Sequence, residues 1–288
     1  MLANGENTGI QVIQVHEKMK KLFLILLCFG LPLFGNTSQI EIVATSSNIA
    51  TCVKQIGQSK VNVTVLIPPG ICPGHYEVKP NDIKKLYNNG ILLYHGWEGF
   101  IDDISKAASG SGARIFQVDI NGNWLIPAVQ ILAAEKITEI LSSIDPENKK
   151  FYEKNFALYK NHMTALDRKV KTIVSANKIK DIPVISSVMQ KELLEYLGLK
   201  VVGCFGRDEE ITPGMITQLI GDAEKYNVKL IVSNLQSGTS TGEMLAKQVH
   251  KFHVVLSNFP GGLQGTDNIE NTLLKNLQII IDSLKASR

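Results

Sequence analysis

Four side chains that can ligate a transition metal lie in loops of the first half of the chain. Cys72 and His75 stand three residues apart in the loop PPGICPGHYEVKP, and His95 and Glu98 follow the apolar run ILLY. A thiolate and an imidazole on one loop can hold one ion, and Zn²⁺ or Cu(I) accept such donors. These residues therefore predict a site for a transition metal ion.

The same residues also have purely structural interpretations. Pro73 and Gly74 favour a tight turn, in which His75 only caps the end of a strand. His95 can instead hydrogen-bond to a metal ligand without contacting the metal itself. The sequence leaves both interpretations open for each histidine.

Uncharged side chains form a second group of candidates for contact with a ligand. They lie in loops after other predicted strands and comprise Trp97, Trp124, Met189, Gln190, Asn234, Gln236 and Asn258. Trp, Asn and Gln with few charges suit a metal chelate or a polar organic molecule better than a bare ion. The two tryptophans can alternatively fill the core. The charge run from Arg207 to Glu210 is interpreted as a solvated rim.

The elements that must position these residues alternate between short apolar strands and helices. Strands are predicted at residues 40–45, 61–67, 91–94, 114–118, 183–186, 200–203, 230–232 and 254–256. Parallel neighbours need helical crossovers, so the alternation predicts an α/β protein with two Rossmann-like parallel-sheet lobes. Ligands bind such sheets at the carboxyl ends of the strands, which predicts a ligand cleft between the lobes.

One long helix is predicted over residues 146–175, between the lobes at 36–145 and 176–288. Its apolar residues recur in steps of three and four: Tyr152, Phe156, Tyr159, Met163, Leu166, Val170 and Ile173. Asp145 is predicted to cap the first free amides, with Pro146 at the first helical position. A helix of this length spans about 45 Å. We therefore expect a rigid link and only a small closure on binding.

Near the other end of the chain, Ser240 and Glu243 have the spacing of a capping box at the start of a helix. In such a box each side chain bonds a backbone amide at the helix start. The pair therefore predicts a helix that is capped by its own first residues.

The first 35 residues have the pattern of a segment that is removed from the mature protein. Met19 and two lysines precede the apolar run LFLILLCFGLPLFG, which is typical of a secretory signal peptide. The pattern predicts a periplasmic or extracytoplasmic protein. Cys28 follows Leu27, where a lipoprotein signal has a small residue, so lipid anchoring has little support and stays open.

Three cysteines remain in the predicted mature chain: Cys52, Cys72 and Cys204. An odd number in an oxidising compartment means that at least one is free, buried or a ligand. Cys52 shares the apolar face of a predicted helix and is interpreted as a small core residue. Whether Cys72 and Cys204 approach each other across the cleft is open.

Composition and charge narrow the function classes. The 288 residues are 44% hydrophobic and 20% charged with a net charge of +3, and the scattered charges predict no nucleic-acid partner. The motifs HExxH and G-x-G-x-x-G are absent, and we predict a monomeric binding protein and not an enzyme. Two alternatives are an exported enzyme with Cys72 as nucleophile and His75 as base, and an adhesion protein.

Two segments resemble the zinc and manganese solute-binding proteins of ATP-binding-cassette (ABC) importers. IPPGICPGHYEVKPNDIKKL is similar to the family's PPG loop with its Asp-Pro-His-x-Tyr-Glu-Pro motif, and SSIDPENKKFYEKNFALY is similar to the start of its linking helix. The resemblance covers nearly all of the mature chain in order and spacing. It implies two lobes on one rigid helix and delivery of a metal, zinc in the first place, to a membrane permease.

The sequence departs from this family at the positions of the usual ligands. The three histidines would fall on Gly74, Gly122 and about Ser187, and the closing carboxylate on Ser257 or Asn258. The set of three nitrogens and one carboxylate is therefore absent, which disfavours Mn²⁺. The resemblance leaves Zn²⁺ as the expected cargo, with copper or a chelated metal as alternatives.

Overall fold

The computed structural model describes residues 39–87 and 90–286 of the chain. The predicted signal peptide lies outside the described residues, so its assignment stays a prediction. Within the described part, no helix combines the length and the apolar character that crossing a membrane requires.

The first sheet has four parallel strands in the order β2-β1-β3-β4. They are β1 (Ile40–Ala44), β2 (Val61–Val65), β3 (Ile91–Tyr94) and β4 (Arg114–Gln117). Helices α1 (Ser47–Gly57), α2 (Pro80–Lys84) and α3 (Ile101–Ala107) connect them. Ile42 and Leu92 are almost fully buried, as expected for strands of a parallel sheet that is covered on both faces.

The second sheet repeats this topology, with strand order β6-β5-β7-β8 and all pairs parallel. Its strands are β5 (Pro183–Ser187), β6 (Lys200–Phe205), β7 (Leu230–Asn234) and β8 (Phe252–Leu256). The eight predicted strands and the two-lobed α/β class are therefore confirmed. Helix α3 was not predicted, and β6, β7 and β8 are longer than their predicted ranges.

Six further helices complete the described part of the fold. They are α4 (Pro127–Ile144), α5 (Lys149–Asn177), α6 (Lys191–Tyr196), α7 (Pro213–Lys225), α8 (Ser240–Gln248) and α9 (Ile269–Ala286). The long helix is α5, with 29 residues. It follows a 3₁₀ turn at Pro146–Asn148 and so begins three residues later than predicted.

The predicted capping role of Asp145 is wrong. Its side chain makes no capping bond to a helical amide. Its carboxylate instead accepts hydrogen bonds from Tyr152 Oη at 2.6 Å and from Asn148 Nδ2 at 2.8 Å. Because Tyr152 is fully buried, its hydroxyl needs a partner and takes the carboxylate that the sequence assigned to the helix start.

Helix α5 is held to both lobes by its buried stripe. Its buried residues are Tyr152, Asn155, Tyr159, Met163, Leu166 and Val170, and the predicted Phe156 and Ile173 are only half-buried. Asn155 Nδ2 donates to Ile56 O of α1 at 2.8 Å, and Glu270 of α9 accepts from Lys169 at 3.0 Å. One continuous core contains this stripe and residues of both sheets, so the helix is a packed link.

The predicted capping box at α8 is also wrong. Ser240 Oγ donates to the Asp208 carboxylate at 2.6 Å, and the amides of Ser240 and Thr241 donate to the same carboxylate at 3.1 and 2.9 Å. Glu243 pairs with Lys247. Asp208, which comes from the loop after β6, therefore caps this helix from 32 residues away.

Two leucines of α5 test the packed link. Leu166 is 2% exposed and Leu158 is 58% exposed. We expect Leu166→Ala to lower the free energy of unfolding by about 2–5 kcal/mol through lost burial and a cavity. Leu158→Ala is the matched control and should change it by less than about 0.5 kcal/mol. Denaturant unfolding measures both, and equal effects would contradict the assigned burial.

The Asp208 cap has a pH signature. Burial opposes ionisation of this carboxyl, but its hydrogen bonds to Ser240 and Thr241 outweigh burial and lower its pKa. The cap therefore stabilises the fold above the unfolded-state pKa of about 3.9 and is lost as pH falls through the lower folded-state pKa. We expect Asp208→Ala to cost about 1 kcal/mol at pH 7, with a deficit that shrinks in acid. Exposed Glu224, changed to Ala, is the control, and a deficit that is constant with pH would contradict the cap.

Candidate ligand cleft

A cavity of about 470 Å³ lies between the two lobes, where loops leave the carboxyl ends of the strands. Its lining from the first lobe is Asn48, Cys72, Pro73, Gly74, His95, Trp97, Gly122, Asn123 and Trp124. The second lobe contributes Val188, Met189, Glu192, Arg207, Asn234, Gln236, Ser237, Asn258 and Phe259. The predicted ligand cleft between the lobes is therefore present.

His95 is the most buried titratable group in this lining. It follows β3 directly and is 4% exposed. Its Nε2 lies 2.7 Å from Oγ of Ser46, which itself accepts the Ile49 amide at the start of α1. Burial lowers the pKa of His95 to about 4, against the opposing effect of the Glu98 carboxylate. The imidazole is therefore neutral at neutral pH.

Nδ1 of His95 has no hydrogen-bond partner in the described part of the chain, although it is buried. A buried polar atom without a partner costs about 1–3 kcal/mol. A ligand that bonds this atom would recover that free energy. Because His95 lines the cavity, it is a candidate to bind a ligand there.

Aromatic rings flank this imidazole on two sides. Trp97 stacks on it with centroids 4.9 Å apart, and Trp124 meets it edge-on at 4.4 Å. Trp124 is buried, with Nε1 donating to Ile120 O at 3.2 Å, whereas Trp97 is 54% exposed. Both tryptophans line the cavity, and Trp124 is part of the core as well.

Glu98 is buried beneath the loop and is not part of the cavity lining. Its carboxylate accepts from Thr45 Oγ1 at 2.5 Å and from the amides of His95 and Gly96 at 2.9 and 2.8 Å. These bonds fix the backbone that carries His95. In this arrangement Glu98 positions a candidate ligand, and the metal-binding role predicted for Glu98 itself has no support from its contacts.

Cys72 and His75 separate in the structure. Cys72 is a free, half-buried thiol in the cavity lining. His75 ends a 3₁₀ turn, Pro73–His75, and its exposed Nε2 lies 3.1 Å from Glu209 Oε1 of the other lobe. This geometry agrees with the tight-turn interpretation of the segment. In residues 39–87 and 90–286, no three His, Cys, Asp or Glu side chains are grouped so that they could hold a metal ion.

Cys204 lies outside the cavity lining. It is a free thiol 3.9 Å from Ser186 Oγ, and burial raises its pKa. Since Cys72 is also free, these two cysteines form no disulfide in this structure. Cys52 is fully buried, as predicted for a core residue.

Two glycines occupy positions where the resemblance would place histidines. A Cβ on Gly74 would lie 2.8 Å from Nη2 of Arg207. Gly122 has φ +109°, and a Cβ there would lie 3.0 Å from both Glu192 Oε1 and Val129 Cγ2. A side chain at Gly122 is therefore strained in its backbone as well as crowded.

The predicted amide residues form one hydrogen-bonded group. Asn258 Oδ1 accepts from Gln190 Nε2 at 3.0 Å, and the same Gln190 nitrogen donates to Asn234 Oδ1 at 2.9 Å. Gln236 Oε1 accepts a hydrogen bond from the backbone N–H of Asn258 at 3.3 Å. Met189 O accepts from Asn258 Nδ2 at 2.8 Å. Of these five, Gln190 lies behind the cavity wall and the other four line it.

Polar contacts bridge the lobes around the cavity. Asn123 Nδ2 donates to Asn258 Oδ1 at 2.9 Å, and Asn48 Nδ2 donates to Asn258 O at 3.2 Å. The Asn123 amide donates to Glu192 Oε2 at 2.7 Å, and Gln236 Nε2 donates to Pro69 O at 2.7 Å. These contacts join the two lobes at the cleft.

Five lining residues with polar side chains are not among the predicted site residues: Asn48, Asn123, Glu192, Arg207 and Ser237. Arg207 was assigned to a solvated rim, yet it lines the cavity and its Nε is buried without a partner among the described residues. Oδ1 of Asn48 is likewise buried without a partner. Asn48 and Asn123 do follow β1 and β4, so their position after a strand was a usable signal.

Comparison with protein families gives one match over most of the chain. The model described as "zinc-uptake complex component A, periplasmic" (ZnuA) matches residues 42–287.

Curated relatives match different shares of the chain. The lipoprotein FimA of Streptococcus parasanguinis, a metal ABC transporter substrate-binding protein, is 29% identical over 174 residues, which is 52% of this chain and 56% of FimA. That alignment thus spans about half the length of the relative. The high-affinity zinc uptake system protein ZnuA of Bacillus subtilis (strain 168) is 25% identical over 288 residues, covering 85% of this chain and 90% of its own.

Solved structures share the fold. A crystal structure of ZnuA superposes with a TM-score of 0.73 at 18% identity, covering 86% of this chain and 100% of that chain. The Cd-bound periplasmic metal binding protein of Candidatus Liberibacter asiaticus gives 0.72 at 21% identity, with coverage of 85% and 100%.

Gly122 provides a test of the cleft geometry. We expect Gly122→Ala to lower the free energy of unfolding by about 1–3 kcal/mol, because alanine disfavours the positive φ and the new Cβ meets Glu192 and Val129. Gly99 has open space around its Cβ position, so Gly99→Ala is the matched control and should be nearly neutral. If both variants unfold like the wild type, the assigned loop conformation is incorrect.

Proposed function

Because the chain belongs to the family of periplasmic zinc-uptake component A proteins, we propose that it captures a transition metal outside the cytoplasm for an ABC importer. Zinc is the first candidate for the metal. The observation that carries this proposal is the cavity between the lobes, lined by a neutral His95 whose Nδ1 has no hydrogen-bond partner among the described residues.

The surroundings of His95 suit a metal-binding imidazole. A histidine ligand usually donates its other ring N–H to an oxygen that fixes the tautomer and the ring orientation. Ser46 Oγ is placed to accept from Nε2, and in that tautomer Nδ1 presents its lone pair. The low pKa of His95 means that no proton competes for this lone pair at neutral pH. Cys72 is a second soft donor in the same lining.

Delivery to a permease requires that the lobes separate at the cleft. The contacts that bridge the lobes include four hydrogen bonds and the exposed pair His75–Glu209. A hydrogen bond contributes about 0.5–1.5 kcal/mol net, and an exposed ion pair contributes less than about 1 kcal/mol. Contact with a membrane permease can therefore open the cleft at modest cost, while α5 and the shared core stay intact.

The exported-enzyme alternative is weaker than the binding function. It needs Cys72 and His75 as nucleophile and base, but Nε2 of His75 faces Glu209 and the side chain is outside the cavity lining. Members of this family are substrate-binding proteins. We propose a monomer that works in the periplasm or at the outer face of the membrane.

The form of the metal is a separate question. The B. subtilis relative is named for zinc, and PsaA of Streptococcus pneumoniae is named for manganese. The described residues contain no group of three His, Cys, Asp or Glu side chains that could bind either ion. This observation favours a second candidate, in which the metal arrives as a complex with an organic chelator.

Metal capture is tested on the full-length chain, exported and recovered from the periplasm. Native mass spectrometry with elemental analysis of the same sample should find about one transition metal per chain, bare or in a complex. His95→Ala should weaken retention about 10-fold or more, because a lost metal-site interaction commonly costs that much. His162→Ala is the matched control, since His162 is exposed on α5 and pairs with Glu270.

Two results would contradict metal capture. One is a chain that holds no transition metal even after incubation with zinc at micromolar concentration, alone and with chelators. The other is full metal retention in His95→Ala.

A further inference from the structure

The cavity is much larger than a metal ion needs. Its volume is about 470 Å³. Pockets for small organic ligands fall in the range of about 300–1,000 Å³. The cavity is therefore large enough for a small organic molecule, whereas a bare ion could contact only part of its lining.

The protein supplies too few donors to complete a coordination sphere. Tightly bound Zn²⁺ takes three or four protein ligands, whereas the described residues contain no group of three His, Cys, Asp or Glu. Three lining residues have side chains that can bind zinc: His95, Cys72 and Glu192. One carboxylate oxygen of Glu192 already accepts a hydrogen bond from the backbone N–H of Asn123. The remaining donors must come with the metal.

Unpartnered polar atoms mark where such a ligand would bond. Among the described residues, five buried side-chain atoms lack a hydrogen-bond partner, and three of them belong to residues that line this cavity. They are Oδ1 of Asn48, Nδ1 of His95 and Nε of Arg207. Asn48 and His95 are 5% and 4% exposed, and a bond from a ligand to these atoms would recover the free energy that a missing partner costs.

Arg207 indicates the charge of that ligand. Its Nη2 lies where a side chain at Gly74 would begin, 2.8 Å from the Cβ position, and Nη1 reaches Glu210 only at 3.6 Å. A guanidinium at this place repels a bare cation. It binds carboxylates well, because its N–H groups match two carboxylate oxygens.

The aromatic residues indicate the shape of the ligand. Trp97, His95 and Trp124 form a continuous aromatic wall, and Trp97 leaves half of its surface exposed. Flat ligands bury apolar surface efficiently against such rings.

From these observations we infer that the cavity takes the metal as the complex of a small, flat, carboxylate-bearing chelator, with Arg207 on the carboxylate and Nδ1 of His95 on the metal. This inference rests on the proposed function and adds the chemical class of the cargo. The chelator supplies most of the ligands, and the protein recognises the complex by charge, shape and one imidazole.

Zinc pyridine-2,6-dicarboxylate is a suitable probe, because the chelator is flat, binds through three atoms and leaves positions open on the metal. The full-length chain is stripped with EDTA, dialysed and titrated with this 1:1 complex, with zinc chloride, with the free chelator and with zinc terpyridine. Terpyridine is also flat and binds through three atoms but has no carboxylate. We expect the dicarboxylate complex to bind at least about 10-fold more tightly than each of the other three.

Variants of Arg207 test the recognition of the carboxylate. Arg207→Met should weaken binding of the dicarboxylate complex about 10-fold or more and should not weaken binding of zinc chloride. Arg207→Lys keeps the charge without the paired N–H groups, so an intermediate loss is expected. Arg168→Met is the matched control, because Arg168 is exposed on α5. Circular dichroism of each variant shows whether it is folded.

Each remaining outcome has a defined meaning. If zinc chloride binds as tightly as the dicarboxylate complex, this inference is wrong and metal capture stands. If the free chelator binds as tightly as its zinc complex, or zinc terpyridine does, the recognition of a carboxylate complex is wrong. If no form of zinc binds, both the inference and the proposed function fail.

Discussion

The contact between the two lobes at the cleft depends on the side chain of Asn258. Its Oδ1 accepts from Asn123 of one lobe and from Gln190 of the other, and its backbone oxygen accepts from Asn48. The resemblance places a metal-binding carboxylate at this position or at Ser257. An amide needs no cation to offset its charge, so these lobes can close through neutral hydrogen bonds, and the metal need not be the group that joins them.

Two glycines and one arginine give the cavity a space and a charge that differ from those which the resemblance implies. Gly74 and Gly122 lack the side chains that would fill its centre, and Arg207 extends into the place next to Gly74. Without side chains at Gly74 and Gly122 the cavity has more space, and the guanidinium of Arg207 favours an anionic group beside it. These changes agree with one another, since a larger cargo that carries its own anionic ligands needs both.

The sequence predicts the architecture better than it predicts the site. Strands and the buried stripe of α5 follow from local periodicity, which neighbouring residues determine. Local patterns fail where a distant residue makes the contact. Asp208 caps α8 from 32 residues away, so the capping box predicted from Ser240 and Glu243 does not form. Similarly, His75 and His95 both follow strands, yet only His95 turns into the cavity, and no local signal distinguishes them.

The packing of α5 limits how the cleft can open. Its buried face, both sheets and α4 share one continuous core, and close-packed cores do not deform gradually. Separation of the lobes must therefore break the polar contacts at the cleft while the core near α5 stays closed. Because those contacts are few and partly exposed to water, their cost is small compared with that of disturbing the core. We therefore expect opening to be a small movement at the cleft, with the core around α5 unchanged.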